Sequence, residues 1–314
     1  MTAAIETRGL AKTYKALGKA PVYSVADLDL TVGENEIFGF LGRNGAGKTT
    51  TIKMLCGLAR PTKGQALLFG IPAEEPEARR SLGYLPEQPY FYEYLSPRET
   101  VEFYGRMRGL NPEARRAQWE KVADLLDLRG IADRRIRGFS KGMRQRVGFA
   151  VALVGDPPLL VLDEPMSGLD PIGRRMIREL ILRLRDEGKT VFFSSHVLGD
   201  VEEICDRVGI LVAGRLAHEG RIDALPGRVT KRVELRVAGL AEPDAAALAG
   251  EGAEWRRVDG TDHFTAPDLD AANALAEGAL RRGGRLLGLN PVQETLEDFF
   301  TRVQLAAVSE RETE

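Results

Sequence analysis

Apolar residues fall along this chain in two textures. Up to about residue 221, short and nearly unbroken apolar runs alternate with stretches in which apolar positions recur every three or four residues, and glycines mark the joins. The runs at 36–41 (EIFGFL), 159–163 (LLVLD) and 190–195 (TVFFSS) have strand length. Continuous runs of this kind are expected of strands buried on both faces of a parallel sheet. Helical spacing predicts helices over 49–58, 97–108, 112–128, 141–154 and 171–187, the last opened by Pro171 and closed by Gly188. Strand, helix and strand in succession predict an α/β fold with a mostly parallel sheet. The helix-rich stretch at 88–157 reads as a helical subdomain inserted into a domain spanning 1–222.

The pattern changes at Leu225-Pro226-Gly227, so 223–230 reads as a linker. Beyond it, 232–237 (RVELRV) alternates like a half-buried strand, 269–280 is an Ala/Leu-rich helix closed by Gly283-Gly284, 285–289 is a further strand and 295–303 a final helix. That order predicts a small α+β module over 231–308, ferredoxin-like in its succession. The polar stretch 309–314 reads as a frayed tail.

Composition narrows the classes. A net charge of −2 gives no electrostatic footprint for nucleic acid. The start, MTAAIETRGLAKTY, lacks the charged and apolar regions of a signal peptide. The most apolar stretch, 147–162, is broken by Asp156, Pro157 and Pro158, well short of the ~20 residues that span a bilayer. Any movement of a solute across a membrane therefore needs a membrane part on another chain. Cys56 and Cys205 sit inside helical apolar patterns and read as buried thiols in a reducing cytoplasm.

Two motifs carry chemistry. Gly42-Arg43-Asn44-Gly45-Ala46-Gly47-Lys48-Thr49, followed by Thr50, stands directly after a predicted strand and opens a predicted helix, the context that makes a P-loop pattern specific. Its glycines let backbone N–H groups close around phosphate oxygens, and the helix N-terminus adds a positive dipole end. Lys48 reaches the β- and γ-phosphates and the Thr49 hydroxyl ligates Mg²⁺ in such a site. Downstream, a buried strand delivers Asp163 to the edge of the sheet, where it holds the Mg²⁺ shell, with Glu164 beside it to orient or deprotonate the attacking water.

With these in place, roughly the first 220 residues resemble the nucleotide-binding domain of ABC transporters. The resemblance implies ATP and Mg²⁺ as cofactors and adds further site residues. Tyr14 matches the aromatic that stacks on adenine, with Tyr23 a weaker competitor. Gln88, in GYLPEQ, matches the glutamine that contacts Mg²⁺ or the lytic water. Ser140 and Gly142, in FSKGMRQR, match the signature loop, and Asp170, in SGLD, the loop that crosses a dimer interface. His196 matches the histidine that touches the γ-phosphate. The remaining histidines, His218 and His263, read as surface or packing residues.

The family's commonest signature is Leu-Ser-Gly-Gly-Gln, whereas this chain has Phe139-Ser140-Lys141-Gly142-Met143 and resembles a branch rich in exporters. The resemblance further implies a head-to-tail dimer with a second ATP-binding subunit, a homodimer in the simplest case. It also implies membrane-spanning permease subunits as partners, which hold the protein on the inner face of the cell membrane. An aromatic cluster at 89–95 (PYFYEYL) reads either as packing within the helical subdomain or as a groove for a helix of the membrane partner. The competing reading of the whole chain is an ABC-type ATPase with a mechanical or regulatory role outside transport. The accessory module carries no catalytic constellation and reads as an assembly or regulatory appendage.

Overall fold

The computed structural model describes residues 3–15, 21–224, 230–250, 253–293, 298–303 and 305–306. Most of the expected linker, the start of the expected helix at 295–303 and the tail at 309–314 lie outside the described residues. The chain divides into two compact units, Met1–Ala224 and Leu225–Ala306.

In the first unit, β1 (Ala3–Tyr14) and β2 (Val22–Gly33) form an antiparallel pair. β3 (Ile37–Leu41) leads into α1 (Lys48–Leu55), followed by β4 (Lys63–Leu68), β5 (Ile71–Pro72) and β6 (Leu82–Leu85). The helical region is α2 (Pro97–Met107), α3 (Pro112–Leu125) and α4 (Lys141–Ala152). Then come β7 (Leu159–Leu162), α5 (Pro171–Asp186), β8 (Thr190–Ser195), α6 (Leu198–Ile204), β9 (Arg207–Val212) and β10 (Arg215–Arg221).

These strands build two sheets. One is antiparallel, in the order β2-β1-β4-β5; the other runs β10-β9-β3-β8-β7-β6 and is parallel except for β10. β3, β7 and β8 are buried along their whole length, as continuous apolar runs require. Phe38 stacks on Phe192 across β3 and β8 at 5.7 Å between ring centroids. A Cβ at Gly39 would lie 2.7 Å from Val201 and 2.8 Å from Cys205, so the bare glycine lets α6 pack tightly on β3. Cys56 and Cys205 are both buried and free, and burial pushes both thiols up.

Helix starts follow local chemistry. Ser96 and Glu99 form a reciprocal capping box at α2, with Pro97 in the first turn. Asn111 caps α3, Ser140 caps α4 and Asp170 caps α5.

Several elements are additions to the sequence reading. β1 and β2 were not expected: register shifts, such as that between Thr7 and Leu10, interrupt the two-residue period of β1, whereas Leu28, Leu30 and Val32 of β2 keep it. β4, β5 and β6 lie between the runs at 36–41 and 159–163, where only helices were expected. α3 and α4 end before the predicted limits, in turns carrying Asp127 and Asp156 at positive φ.

The second unit runs β11 (Thr230–Ala238), α7 (Glu242–Ala249), β12 (Glu254–Val258), β13 (Thr261–Ala266), α8 (Leu269–Arg281) and β14 (Arg285–Gln293). Its sheet is antiparallel in the order β12-β13-β11-β14, the ferredoxin-like arrangement. α7, β12 and β13 went unread in the sequence; β12 is almost wholly exposed, whereas β13 alternates between buried and half-buried positions. Val233, Leu235, Val237 and Phe264 pack with Leu248, Leu275 and Ala279 to form a separate core.

Candidate functional site

Four neighbouring parallel strands deliver the chemistry. In register, Leu41 at the end of β3 pairs with Ser195 at the end of β8, Leu162 at the end of β7 with Phe193, and Leu85 at the end of β6 with Leu162. The segments leaving these strands therefore meet at one edge, the usual location for a ligand in an open α/β sheet. They are the 42–49 loop, Asp163-Glu164, His196 and Glu87.

There they line a cavity of about 490 Å³ together with Ser24 and Ser167. Of the expected site residues, Arg43, Asn44, Gly45, Gly47, Lys48, Thr49, Thr50, Glu164 and His196 line it. Gly47 has φ 110°, and a Cβ there would sit 2.3 Å from the Ser24 carbonyl oxygen, so only glycine fits the turn into α1. Gly42 and Ala46 support the loop from behind: a Cβ at Gly42 would lie 2.7 Å from the Leu211 carbonyl oxygen, and Ala46 is buried.

Lys48, 6% exposed, donates to the Gly42 carbonyl at 2.6 Å and pairs with Glu164 Oε1 at 3.2 Å. Glu164 Oε2 meets His196 Nδ1 at 2.8 Å. Glu164 itself adopts a left-handed backbone, φ 49°, which is uncommon outside glycine and is held only where the surroundings fix it. The fixing group is Ser194, fully buried, which accepts the Glu164 N–H at 2.9 Å and donates to Asp163 Oδ1 at 2.7 Å. Asp163, 1% exposed, also accepts from the Thr49 hydroxyl at 3.3 Å. Burial pushes its carboxyl above the ordinary value, and the Ser194 and Thr49 hydroxyls oppose that rise.

The residues present fit a magnesium–nucleotide. Thr49 and Asp163 offer two hard oxygen donors side by side, and the glycine-lined turn forms a close backbone cradle. Among the described residues no group of three or more His, Cys, Asp or Glu side chains could hold a metal alone. Mg²⁺ is commonly held by one or two protein oxygens together with substrate phosphates.

The other expected residues stand apart from the cavity lining. Tyr14 is 43% exposed with Lys12 Nζ 5.2 Å above its ring. Gln88 is exposed, and its neighbour Glu87 lines the cavity instead. Ser140 accepts from the Met143 N–H at 3.3 Å and Asp170 from the Gly173 N–H at 2.7 Å, each capping its helix. Gly142 follows Ser140 in the first turn of α4. Gln145, further along that helix, donates to the Pro165 carbonyl at 2.8 Å and so ties the signature segment to the acid pair.

Sequence reading missed Ser24, Glu87 and Ser194, while Ser167 belongs to the SGLD loop already singled out. Only Ser194 carried a usable signal, a hydroxyl inside a buried strand two residues before His196.

The aromatic cluster splits between inside and outside. Phe91 is buried, whereas Tyr90, Tyr92 and Tyr94 are exposed. Tyr92 contacts Tyr94 at 5.7 Å and meets Phe103 of α2 edge-on at 5.6 Å. No helix among the described residues is long and apolar enough to cross a membrane.

Residues 25–167 match the ABC transporter family. An ABC transporter ATP-binding protein of Nostoc sp. is 41% identical over 295 residues, covering 89% of this chain and 82% of the relative. The bacitracin transport ATP-binding protein BcrA of Bacillus licheniformis is 35% identical over 314 residues, covering 96% and 98%. Among solved structures, an ATP-binding subunit of an ABC transporter superposes with TM-score 0.63 at 32% identity, over 70% of this chain and 90% of that one. A dimeric bacterial ABC transporter cassette gives TM-score 0.65 at 26% identity, over 69% and 98%. With the P-loop fold and its edge site, these similarities establish that the chain belongs to the ATP-binding subunits of ABC transporters.

Proposed function

We propose that this subunit hydrolyses ATP in a head-to-tail dimer and couples that cycle to separate membrane-spanning subunits, in the direction of export. The observation that carries the reading is Glu164, held in a left-handed turn and fixed by Lys48, Ser194 and His196 against the P-loop. Lys48 and the 42–49 backbone would hold the phosphates, and Thr49 and Asp163, with Gln88, the magnesium. Mg²⁺ there supplies charge neutralisation on the phosphates. Glu164 takes or orients the proton of the attacking water, and His196 holds Glu164 and faces the γ-phosphate. Tyr14 would stack on the base.

Ser140, Gly142 and Asp170 lie outside the cavity lining of their own chain. This supports their acting on nucleotide bound by a second subunit, and the similar cassette described as dimeric agrees. The Phe139–Met143 signature supports export, and BcrA, similar along nearly its whole length, is described as a transport protein. The exposed tyrosines at 90, 92 and 94 support a permease contact, which would keep the protein on the inner membrane face. We assign 1–222 to ATP binding, with 88–157 as the helical subdomain, and 231–308 to an accessory role.

Glu164→Gln keeps the geometry and removes the base. With saturating MgATP it should sediment as a dimer and turn over ATP at least 100-fold more slowly. A variant that stays monomeric under those conditions would rule out the two-subunit site.

A further inference from the structure

On the sheet of the second unit, the face opposite α7 and α8 carries exposed and half-buried side chains among the described residues. α7 and α8 pack on the side where Val233, Leu235 and Phe264 are buried. Alternation along each strand sends the intervening side chains to the opposite side. Strand register sorts these into rows. Glu254, Thr265 and Glu234 lie in line across β12, β13 and β11. Two residues along, Arg256, His263 and Arg236 form the next line. Gly288 extends that line onto β14, and a Cβ there would lie 3.4 Å from Arg236 Nη2, so the guanidinium lies across the bare glycine.

Neighbouring strands set no opposite charge across from these groups: Thr265 stands between Glu254 and Glu234, and His263 between Arg256 and Arg236. Here the basic groups share one row and the acids the next. Glu234 reaches Arg232 at 3.3 Å, but among the described residues Arg236, Arg256 and Glu254 form no ion pair.

One occupant satisfies both rows at once. A two-fold axis lying between two such faces, and running across the strands between the rows, brings each acidic row over the other copy's basic row. Glu254 then faces Arg256 of the second copy, Glu234 faces Arg236, and both pairs repeat by symmetry. Stacked sheets lie about 10 Å apart, a gap that an arginine and a glutamate side chain span together.

We propose that this face is a contact between two copies of the chain. Exposed ion pairs are individually weak. The contact therefore serves to keep two subunits close while nucleotide is absent, raising the effective concentration for ATP-driven closure. It stands apart from that closure, and omitting nucleotide reads the two associations separately.

The test uses the full-length chain without nucleotide, in low salt, by sedimentation. Wild type should self-associate, and 0.5 M salt (roughly a 4 Å screening length) should weaken this. Glu234→Arg/Glu254→Arg makes both rows basic and Arg236→Glu/Arg256→Glu makes both acidic. Each double variant alone should associate about tenfold more weakly, with an unchanged melting temperature showing that it is folded. An equimolar mixture should restore wild-type association as a heterodimer. A mixture no stronger than its parts, or a wild type monomeric at ~1 mM (the effective concentration that a short tether supplies), overturns the proposal. So does a wild type that binds a polyanion through these arginines without pairing with itself.

Discussion

The Ser194 hydroxyl donates to Asp163 across neighbouring strands at 2.7 Å while accepting the Glu164 N–H at 2.9 Å. One buried oxygen thereby fixes both the Asp163 carboxylate, proposed to hold the metal, and the turn that presents Glu164, the proposed base. Hydrogen bonds to charged groups contribute about 1.5–3 kcal/mol each. Ser194→Ala should therefore lower the ATPase rate about 10- to 100-fold, and Ser194→Thr, which keeps the hydroxyl, should retain most of it. Steady-state rates across a Mg²⁺ titration decide the matter; an alanine variant at wild-type speed would show the bridge to be idle.

Asp163 sets function against stability. Its carboxyl is raised by burial, so this group favours the fold most below the ordinary carboxylate range, and that contribution is lost as pH rises through the folded value. Asp163→Asn should consequently melt higher than wild type at pH 7, with the gap closing as the pH falls towards about 4, while ATP hydrolysis is lost. Thermal melts across that range check the sign: an asparagine variant less stable at pH 7 contradicts it.

Asp200, one turn past His196, joins α6 to α5. It is 3% exposed, lies 3.3 Å from Arg178 and 3.9 Å from Arg174, and its carboxyl is raised by burial against the pull of both arginines. Arg174 Nε is itself buried without a hydrogen-bond partner. Asp200→Ala should destabilise the chain by about 3 kcal/mol, as breaking a buried ion pair does. Denaturant unfolding measures the loss, and a change under about 1 kcal/mol would mean that water already screens the pair.

Tyr92 and Tyr94 touch each other and leave much of their surface in solvent. Replacing both with alanine should abolish co-purification with the membrane partner and transport while basal ATPase survives. Undiminished partner binding would assign these rings to packing within the helical region.

The nucleotide motifs were legible because each is a contiguous segment whose own turn explains its residue types. Gly47 must be glycine at φ 110°, and Lys48 and Thr49 follow as the first residues of α1. The fully buried strands β3, β7 and β8 announced themselves by unbroken apolar runs. Amphipathic strands with shifted register, such as β1, did not, nor did the nearly exposed β12.

Sequence alone thus displayed the P-loop and acid-pair segments, since local spacing encodes each of them, while the family and His196 entered through the resemblance. Tertiary structure decided which residues meet. Ser194 lies 31 residues from Asp163 in the chain and becomes its partner only because β7 and β8 are neighbours in one sheet. Glu87 replaces Gln88 in the cavity wall according to how the chain leaves β6. The charge rows on the accessory sheet exist only in the register of β11, β12 and β13. Lateral pairing between distant strands leaves no period in the sequence, and so only the folded chain displays it.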